Sequence, residues 1–283
     1  MRFHVDTADF FVPDGLPEEA ALARTTHMTI SAHHDDIEIM AAAAILECFQ
    51  SEELWFTGVV MTDGRGSPRD GLYKDYSDED MRKVRIKEQR KAAVVGEYAA
   101  QVILDHSSKA IKDGKDMDPV EDLVMLLKAA RSRYIYTHNL ADKHDTHVGT
   151  ALKVIAAIRR LPAGDRPQKL FGCEVWRDLD WMVDEDKVPL DLSQHENLQE
   201  ALLGVFDSQI AGGKRYDLAS MGRRRANATY FASHGVDTAL GLTFAMDLTP
   251  LILDDAKEPG VFIQEQILNF GRDVAERIKK VGS

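Results

Sequence analysis

A short run of ionisable side chains between a strand-like and a helix-like segment most constrains the fold of this chain. The run, SAHHDDIE over residues 31–38, follows the apolar residues 28–30 and precedes a helix-period segment over 37–49. Two histidines and two aspartates are costly to desolvate together unless a cation lies among them. His33 and Asp36 can point at one ion, and Asp35 can then face a bound water. The run therefore predicts a metal site with a built-in base.

The rest of the chain alternates strand-like and helix-like segments. The pattern predicts strands at 27–33, 54–62, 101–104, 133–137, 169–175 and 242–246, and helices at 37–49, 78–98, 118–130, 147–161, 196–210, 216–230 and 261–280. Such alternation implies right-handed crossovers between parallel strands. We expect an α/β, Rossmann-like three-layer fold with a mostly parallel sheet and helices on both faces. We expect one domain over 1–283, with a motif-bearing core at about 26–160 and residues 176–283 completing it.

Composition restricts the class of protein. The formal net charge of -12 argues against a nucleic-acid partner, because phosphate binding needs a basic surface. The two cysteines, Cys48 and Cys173, form no C-x-x-C pair, which fits a reducing compartment and argues against a thiolate zinc site. The longest small-apolar run is too short to span a bilayer. We therefore expect a cytoplasmic protein with no membrane insertion.

A second cluster follows the fourth predicted strand, within residues 137–147. His144 and His147 are three residues apart at a predicted helix start and share a helix face. Ligands in parallel sheets bind at the carboxyl ends of the strands, so the two clusters can converge. His33, Asp36 and His147 would then form a two-histidine, one-carboxylate metal site with open positions.

Structural alternatives exist for each part of this pattern. A His-x-x-His pair is commonly a surface pair, and an Asp-Asp pair is commonly a helix N-cap. The ligand set also suits non-haem Fe(II) oxygenases, but those carry His-x-Asp on a β-sandwich barrel, unlike the His-x-x-Asp spacing here. His138, His195 and His234 are expected at the surface or outside direct contact with the ion.

At these residues the sequence resembles the LmbE-like or PIG-L zinc-dependent N-deacetylases. The family signature is Ala-His-Pro-Asp-Asp-x-Glu after the first strand and His-Pro-Asp-His after a later one. This chain has AHHDDIE at 32–38 and HDTH at 144–147, together with TDG at 62–64 and VRIKE at 84–88. The resemblance covers about residues 26 to 160. The order of these motifs and their placement at strand ends together make the resemblance specific.

The resemblance implies a role for each matching residue. Zn²⁺, or Fe²⁺ or another divalent ion, would be bound by His33, Asp36 and His147. Asp35 would be the general base, and His144 would stabilise the oxyanion or protonate the leaving amine. Arg85 would bind substrate, and we expect Asp63 and Arg65 of the long loop 63–76 to do so at the rim.

Two departures from the family signature affect the turns. His34 replaces the usual proline of the first motif. Asp145-Thr146 replaces Pro-Asp in the second, so the aspartate expected to orient His144 is shifted or missing. Asp142 or Asp145 would then take its place.

The functional hypothesis is a metal-dependent hydrolase that removes an N-acyl group, most simply acetyl, from an amino sugar or related small conjugate. One alternative is a metal-dependent hydratase of an unsaturated carboxylic acid, for which Arg65, Arg69 and Lys74 would bind the anionic substrate. Another is a non-catalytic sugar- or metal-binding protein. The expected partner is a small N-acylated molecule, with homo-oligomerisation left open. Residues 173–177 are expected at the end of a core strand or lining the pocket. The arginines at 223–225 are expected on a solvated helix face, with pairing to an anionic substrate or to a neighbouring subunit as the alternatives.

Overall fold

The computed structural model describes residues 1–282, and its centre is one eight-stranded sheet. The strands are β1 (Asp9–Phe11), β2 (His27–Ser31), β3 (Phe56–Thr62), β4 (Ala100–His106), β5 (Tyr134–His138), β6 (Lys169–Cys173), β7 (Lys187–Asp191) and β8 (Leu242–Asp247). Their order is β1-β4-β3-β2-β5-β6-β8-β7. The five strands from β4 to β6 in that order are parallel, whereas β1, β7 and β8 pair antiparallel with their neighbours.

Twelve α-helices among residues 1–282 cover the sheet. They are α1 (Glu18–Ala23), α2 (Asp36–Met40), α3 (Ala42–Cys48), α4 (Asp78–Val95), α5 (Ser108–Lys112), α6 (Asp118–Ala130), α7 (Asp145–Arg159), α8 (Glu196–Gly204), α9 (Asp207–Ile210), α10 (Tyr216–Tyr230), α11 (Thr249–Leu253) and α12 (Pro259–Gly282). Three short 3₁₀ turns lie at 71–73, 163–165 and 184–186.

The two faces of the sheet bury separate apolar clusters, because successive strand side chains point to opposite faces. On β2, Met28 and Ile30 pack in one cluster with α6, α7 and α11. On β3, Val60 packs in the other cluster with α2, α3, α4 and α8. The predicted three-layer α/β fold with a mostly parallel sheet is therefore confirmed.

The strand order places a crevice at the centre of the sheet. From β2 the chain moves to β3 and β4 on one side, and later to β5 and β6 on the other. In open α/β sheets, ligands bind where the strand order reverses, outside the carboxyl ends of the strands. Both predicted clusters follow the two strands at this reversal, β2 and β5.

Several predicted elements match closely, and others differ. Helix α6 begins at Asp118 with Pro119 in its first turn, as predicted, and Ser77 caps α4 through a capping box with Asp80. The sequence pattern did not predict β1, β7, α1, α5 or α11, all of which are six residues or shorter.

The single helix predicted over 37–49 is instead two helices that meet at Ala41. A buried arginine from α10 causes the break: Arg224 Nη2 donates to the carbonyl oxygens of Glu38 at 2.7 Å and Ile39 at 3.3 Å. A continuous helix would need those oxygens for its own next turn. The prediction of a wholly solvated helix face for 223–225 is wrong for Arg224, whose side chain is 3% exposed.

Helix α12 leaves a stripe of apolar side chains open to solvent. The stripe comprises Ile267, Phe270, Val274, Ile278 and Val281, whereas Phe262 is buried. Among residues 1–282, no helix combines the length and apolar character needed to cross a bilayer.

Candidate metal and substrate site

Three predicted ligand atoms converge at the carboxyl ends of β2 and β5. His33 Nδ1 lies 3.2 Å from Asp36 Oδ2 and 3.1 Å from His147 Nε2, and the last two atoms are 3.4 Å apart. We call these three atoms the donor triangle. Asp36 reaches it from the first turn of α2, and His147 reaches it from the first turn of α7.

The dimensions of the donor triangle fit a divalent ion. Zinc lies about 2.0–2.2 Å from nitrogen and carboxylate ligands, so a tetrahedral site needs ligand atoms about 3.3 Å apart. All three separations fall within 0.2 Å of that value. When the His147 ring is neutral and its Nδ1 donates a proton to a carboxylate, its Nε2 carries a lone pair that points toward the Asp36 carboxylate. The lone pair and the carboxylate repel each other, and a cation bound between them removes that repulsion.

The carboxylate behind His147 is Asp142, from the loop after β5. Its Oδ2 lies 3.3 Å from His147 Nδ1, and its Oδ1 accepts the backbone N–H of His144 at 3.0 Å. Carboxylates in this position fix the orientation and tautomer of a metal-ligating histidine. Burial lowers the pKa of His147, but Asp36 and Asp142 outweigh it and raise that pKa. Asp142 thus orients His147 through its ring and His144 only through its backbone.

His144 itself has no carboxylate at its ring among the described residues. Its Nδ1 is buried without a hydrogen-bond partner, and Asp145 is exposed. The ring packs 4.9 Å from the His33 ring and 4.6 Å from the His147 ring, centroid to centroid. Burial, then the charges of these two imidazoles, lower the pKa of His144.

His138 lies beside the site, which agrees with the second of the two positions expected for it from the sequence, outside direct contact with the ion, and not with the first, the surface. It is fully buried and stacks on the His147 ring at 3.8 Å. Its Nε2 is 3.4 Å from Asp36 Oδ2 but accepts the backbone N–H of Ala32 at 2.8 Å, so that lone pair is already engaged. His138 therefore supports the ligands rather than completing the donor triangle. A lone histidine in a strand carries no sequence signal for this role.

Asp35 adopts an unusual conformation between the two ligands of the first motif. Its φ of 77° lies in the left-handed region, which a non-glycine residue enters only at a cost. It occupies the N-cap position of α2 without a side-chain capping bond, so the structure excludes the N-cap alternative for this residue. Its Oδ2 is buried without a hydrogen-bond partner, 3.5 Å from Arg85 Nη2. Burial raises the pKa of Asp35 to about 7, against the opposing effect of Arg85.

Arg85 of α4 is buried against the first motif and does not lie on the helix surface. Its side chain is 2% exposed, and its Nη2 donates to the carbonyl oxygen of His34 at 2.6 Å. Its Nε and Nη1 are buried without partners among the described residues. Buried guanidinium N–H groups left unpaired are costly, which points to a polar ligand group at this place.

Gly64 is required for the packing of His34. Its φ of +69° favours glycine, and a Cβ at residue 64 would lie 3.0 Å from His34 Nδ1. The His34 ring, which stands where proline is usual in the resembled family, is fully buried and has no partner for either nitrogen among the described residues. Burial, then the charge of Arg85, lower the pKa of His34 well below its usual range.

A cavity of about 680 Å³ opens over the donor triangle. Asp35, Arg85, His144 and Asp63 line it, as do Val175 and Trp176 after β6. Residues 175 and 176 thus agree with the pocket-lining interpretation of 173–177.

The two rim residues predicted from the long loop differ in position. Asp63 lines the cavity, and its Oδ2 pairs with Arg65 Nη1 at 3.0 Å. Arg65 does not line it, and its guanidinium also pairs with Glu79. Arg69 pairs with Asp78, so both loop arginines are engaged by acids.

A comparison with protein families matches the part of the chain that contains both motifs. The family model for PIG-L, described as GlcNAc-PI de-N-acetylase, matches residues 28–158. No curated protein matches the chain significantly.

Solved structures share the fold at low sequence identity. The 4-carboxy-2-hydroxymuconate hydratase from Pseudomonas putida has a TM-score of 0.61 at 15% identity, over 79% of this chain and 96% of that one. The N,N'-diacetylchitobiose deacetylase from Pyrococcus horikoshii has a TM-score of 0.59 at 17% identity, over 78% and 83%. A deacetylase of the A40926 pseudoaglycone has a TM-score of 0.57 at 14% identity, over 79% and 97%. These likenesses show the fold.

Proposed function

Residues 28–158 of this chain belong to the PIG-L family, whose model is that of GlcNAc-PI de-N-acetylase, and from this we propose that the protein is a metal-dependent N-deacylase. Its reaction would remove an acyl group, most simply acetyl, from an amino sugar or a related small conjugate. The observation that carries the proposal is the donor triangle beside an unpaired buried carboxylate, Asp35, at the floor of a cavity.

His33, Asp36 and His147 would hold the ion, which we take to be zinc. When bound, the ion supplies Lewis-acid polarisation of the amide carbonyl. Asp35 accepts a proton from the attacking water, whose oxygen bonds to the carbonyl carbon. The C–N bond then breaks, and the amine nitrogen gains a proton to leave as the free amine. A positioned acid or base of this kind contributes about 10²- to 10⁴-fold in rate.

His144 and Arg85 would act on the substrate itself. The His144 ring borders the donor triangle and the cavity, where it can donate to the oxyanion or to the leaving nitrogen. Arg85 offers the N–H groups of two unpartnered nitrogens, Nε and Nη1, to a polar part of the substrate. Asp63 lines the cavity as a further proposed contact, whereas the paired guanidinium of Arg65 leaves its substrate role a prediction.

A purely binding role fits these residues less well. A protein that only binds a sugar or a metal gains nothing from a strained backbone and a desolvated, unpaired carboxylate at Asp35. Such costs are typical of catalytic groups whose pKa has been adjusted.

A hydratase of an unsaturated carboxylic acid is the second candidate. The unpaired donors of Arg85 favour it, since they suit a carboxylate as well as a sugar hydroxyl. The structural likeness to a hydratase supplies the fold for such a reaction and no more.

One screen separates the two reactions. Purified protein is incubated with a panel of N-acetylated amino sugars and, separately, with unsaturated carboxylic acids. We expect acetate and free amine in equal amounts from at least one N-acetylated compound. Addition of water to a double bond lowers the ultraviolet absorbance of an unsaturated acid. A fall in that absorbance, without acetate release from any N-acetylated compound, would favour the hydratase. Cytoplasmic location and homo-oligomerisation stay predictions, and sedimentation of the purified protein tests the latter.

A further inference from the structure

One wall of the cavity carries two cations that form no ion pair with an acid among the described residues. We call Trp176, Lys214 and Arg223 the basic wall, and all three line the cavity. Lys214 Nζ lies 5.0 Å from the centroid of the Trp176 ring, and Arg223 Nη1 donates to the carbonyl oxygen of Val175. Neither cation forms an ion pair within residues 1–282.

The absence of ion pairs at this wall is notable in a chain that has 47 acidic and 35 basic residues overall. The charge of Arg223 opposes the rise in pKa that burial gives Glu174, but the oxygens of Glu174 accept hydrogen bonds from other groups, such as the backbone N–H groups of Leu179 and Phe244. The loop arginines that the sequence suggested for an anionic substrate, Arg65 and Arg69, are paired with acids. Unpaired cations in a concave cavity with low-dielectric walls focus their field on an incoming ligand. The ligand that such a field attracts is an anion.

One carboxylate oxygen contacts both the basic wall and a residue of the donor triangle. Asp142 Oδ2 accepts the backbone N–H of Trp176 at 3.1 Å and lies 3.3 Å from His147 Nδ1. The Trp176 ring lies 6.3 Å from the His144 ring, with an interplanar angle of 23°. A small molecule whose amide lies at the donor triangle therefore reaches the wall.

We propose that the basic wall binds an anionic group of the substrate, a phosphate or a carboxylate. Arg223 offers a planar fork that matches either group, and Lys214 supplies a mobile point charge. This inference rests on the proposed deacylase function for the position of the amide, and it narrows the substrate class to N-acylated compounds with a negative charge.

The test measures binding apart from turnover, in the Asp35→Asn background. Calorimetric titrations compare N-acetylglucosamine with its 1-phosphate, its 6-phosphate and N-acetylmuramic acid, which carries a carboxylate. We expect at least one anionic probe to bind about tenfold or more tightly than the neutral sugar, which corresponds to about 1.4 kcal/mol. Which probe binds separates phosphate from carboxylate recognition. The affinity gain should shrink at high salt.

Added substitutions locate the site. Lys214→Ala and, as a second variant, Arg223→Gln should each remove most of the anionic preference. Lys128→Ala, at an exposed lysine of α6, serves as the matched control and should keep that preference. Equal affinity for neutral and anionic probes would overturn the proposal. So would an anionic preference that survives both wall substitutions, because the anion would then bind elsewhere, for example at a metal ion.

Failure of the deacylase function would look different. If the wall variants lose anion binding but the wild-type protein releases acetate from no probe, the wall is supported and the proposed reaction is wrong.

Discussion

His33 Nδ1 and His147 Nε2 lie 3.1 Å apart, although 114 residues separate them in the chain. Neighbouring parallel strands, β2 and β5, bring the two side chains together at the point where the strand order reverses. With Asp36, they form a donor triangle of the size that a tetrahedral zinc site requires.

Changing His147 to Ala should remove the metal. The substitution deletes one of three ligands, and the remaining two cannot hold a divalent ion against dilution. Wild-type protein should carry about one zinc-like ion per chain by mass spectrometry of the metal, and the variant close to none. The control is His234→Ala, which changes an exposed histidine that is distant in sequence from the three ligands, and this variant should retain the ion. Full occupancy in His147→Ala would exclude the donor triangle.

Metal affinity should fall as the solution is acidified. Protons compete with the ion for His33 and His147, so each imidazole must lose its proton when the ion binds. Because Asp36 and Asp142 raise the pKa of His147, that competition should begin above the ordinary histidine range. Competition titrations with a chromophoric chelator at several pH values measure this. An affinity that does not change between pH 5 and 8 would show that the ion binds without these histidines.

Arg85→Lys should lower kcat/KM and leave the metal content unchanged. Lysine can keep the contact with the carbonyl of His34 but cannot supply the planar fork of donors now unpaired in the cavity wall. Arg90→Lys, on the same helix but paired with Asp9, is the control and should leave kcat/KM unaltered. Identical kinetics for Arg85→Lys and Arg90→Lys would limit Arg85 to a packing role.

Glu38→Gln should reduce the pH dependence of stability. Burial raises the pKa of Glu38 from 4.5 to about 8, although Tyr98 and Gln89 donate to its Oε1. The folded protein thus holds this proton more tightly than the unfolded chain. The stabilisation is fully present below about pH 4.5 and is lost as the pH rises through about 8.

Urea unfolding of both proteins at about pH 5 and about pH 8 measures this effect. The free energy of unfolding of wild type relative to Glu38→Gln should decrease toward pH 8. Glu53→Gln, at an exposed position, should show no such trend. A difference independent of pH would mean that Glu38 is ionised throughout the range.

The sequence predicted the parts of the fold and site that local chemistry determines. The Asp118-Pro119 start located α6 to the residue, and the two motifs located the donor triangle, because strand ends fix where such residues can meet. The break at Ala41 could not be predicted, since it depends on Arg224, which lies almost two hundred positions away in sequence.

The surroundings of the site were harder to predict for the same reason. His138 becomes a site residue only because α7 stacks His147 on it. Lys214, between α9 and α10, contacts the ring of Trp176, which follows β6. The positions of these two connecting segments depend on packing, and no sequence motif predicts them. Either Asp142 or Asp145 was expected to orient the His144 ring, yet Asp142 contacts the ring of His147 instead and Asp145 is exposed.

The most direct test of the proposed chemistry is the acetate released by Asp35→Asn with its metal bound. The substitution keeps the shape of the side chain but removes the carboxylate that accepts the proton of water. On an N-acetylated substrate that the wild-type protein cleaves, the variant should retain its ion, bind substrate and lose kcat by about two orders of magnitude or more. Asp36→Asn, which changes a ligand, should lose the ion instead. Undiminished acetate release by metal-loaded Asp35→Asn would contradict the proposed mechanism.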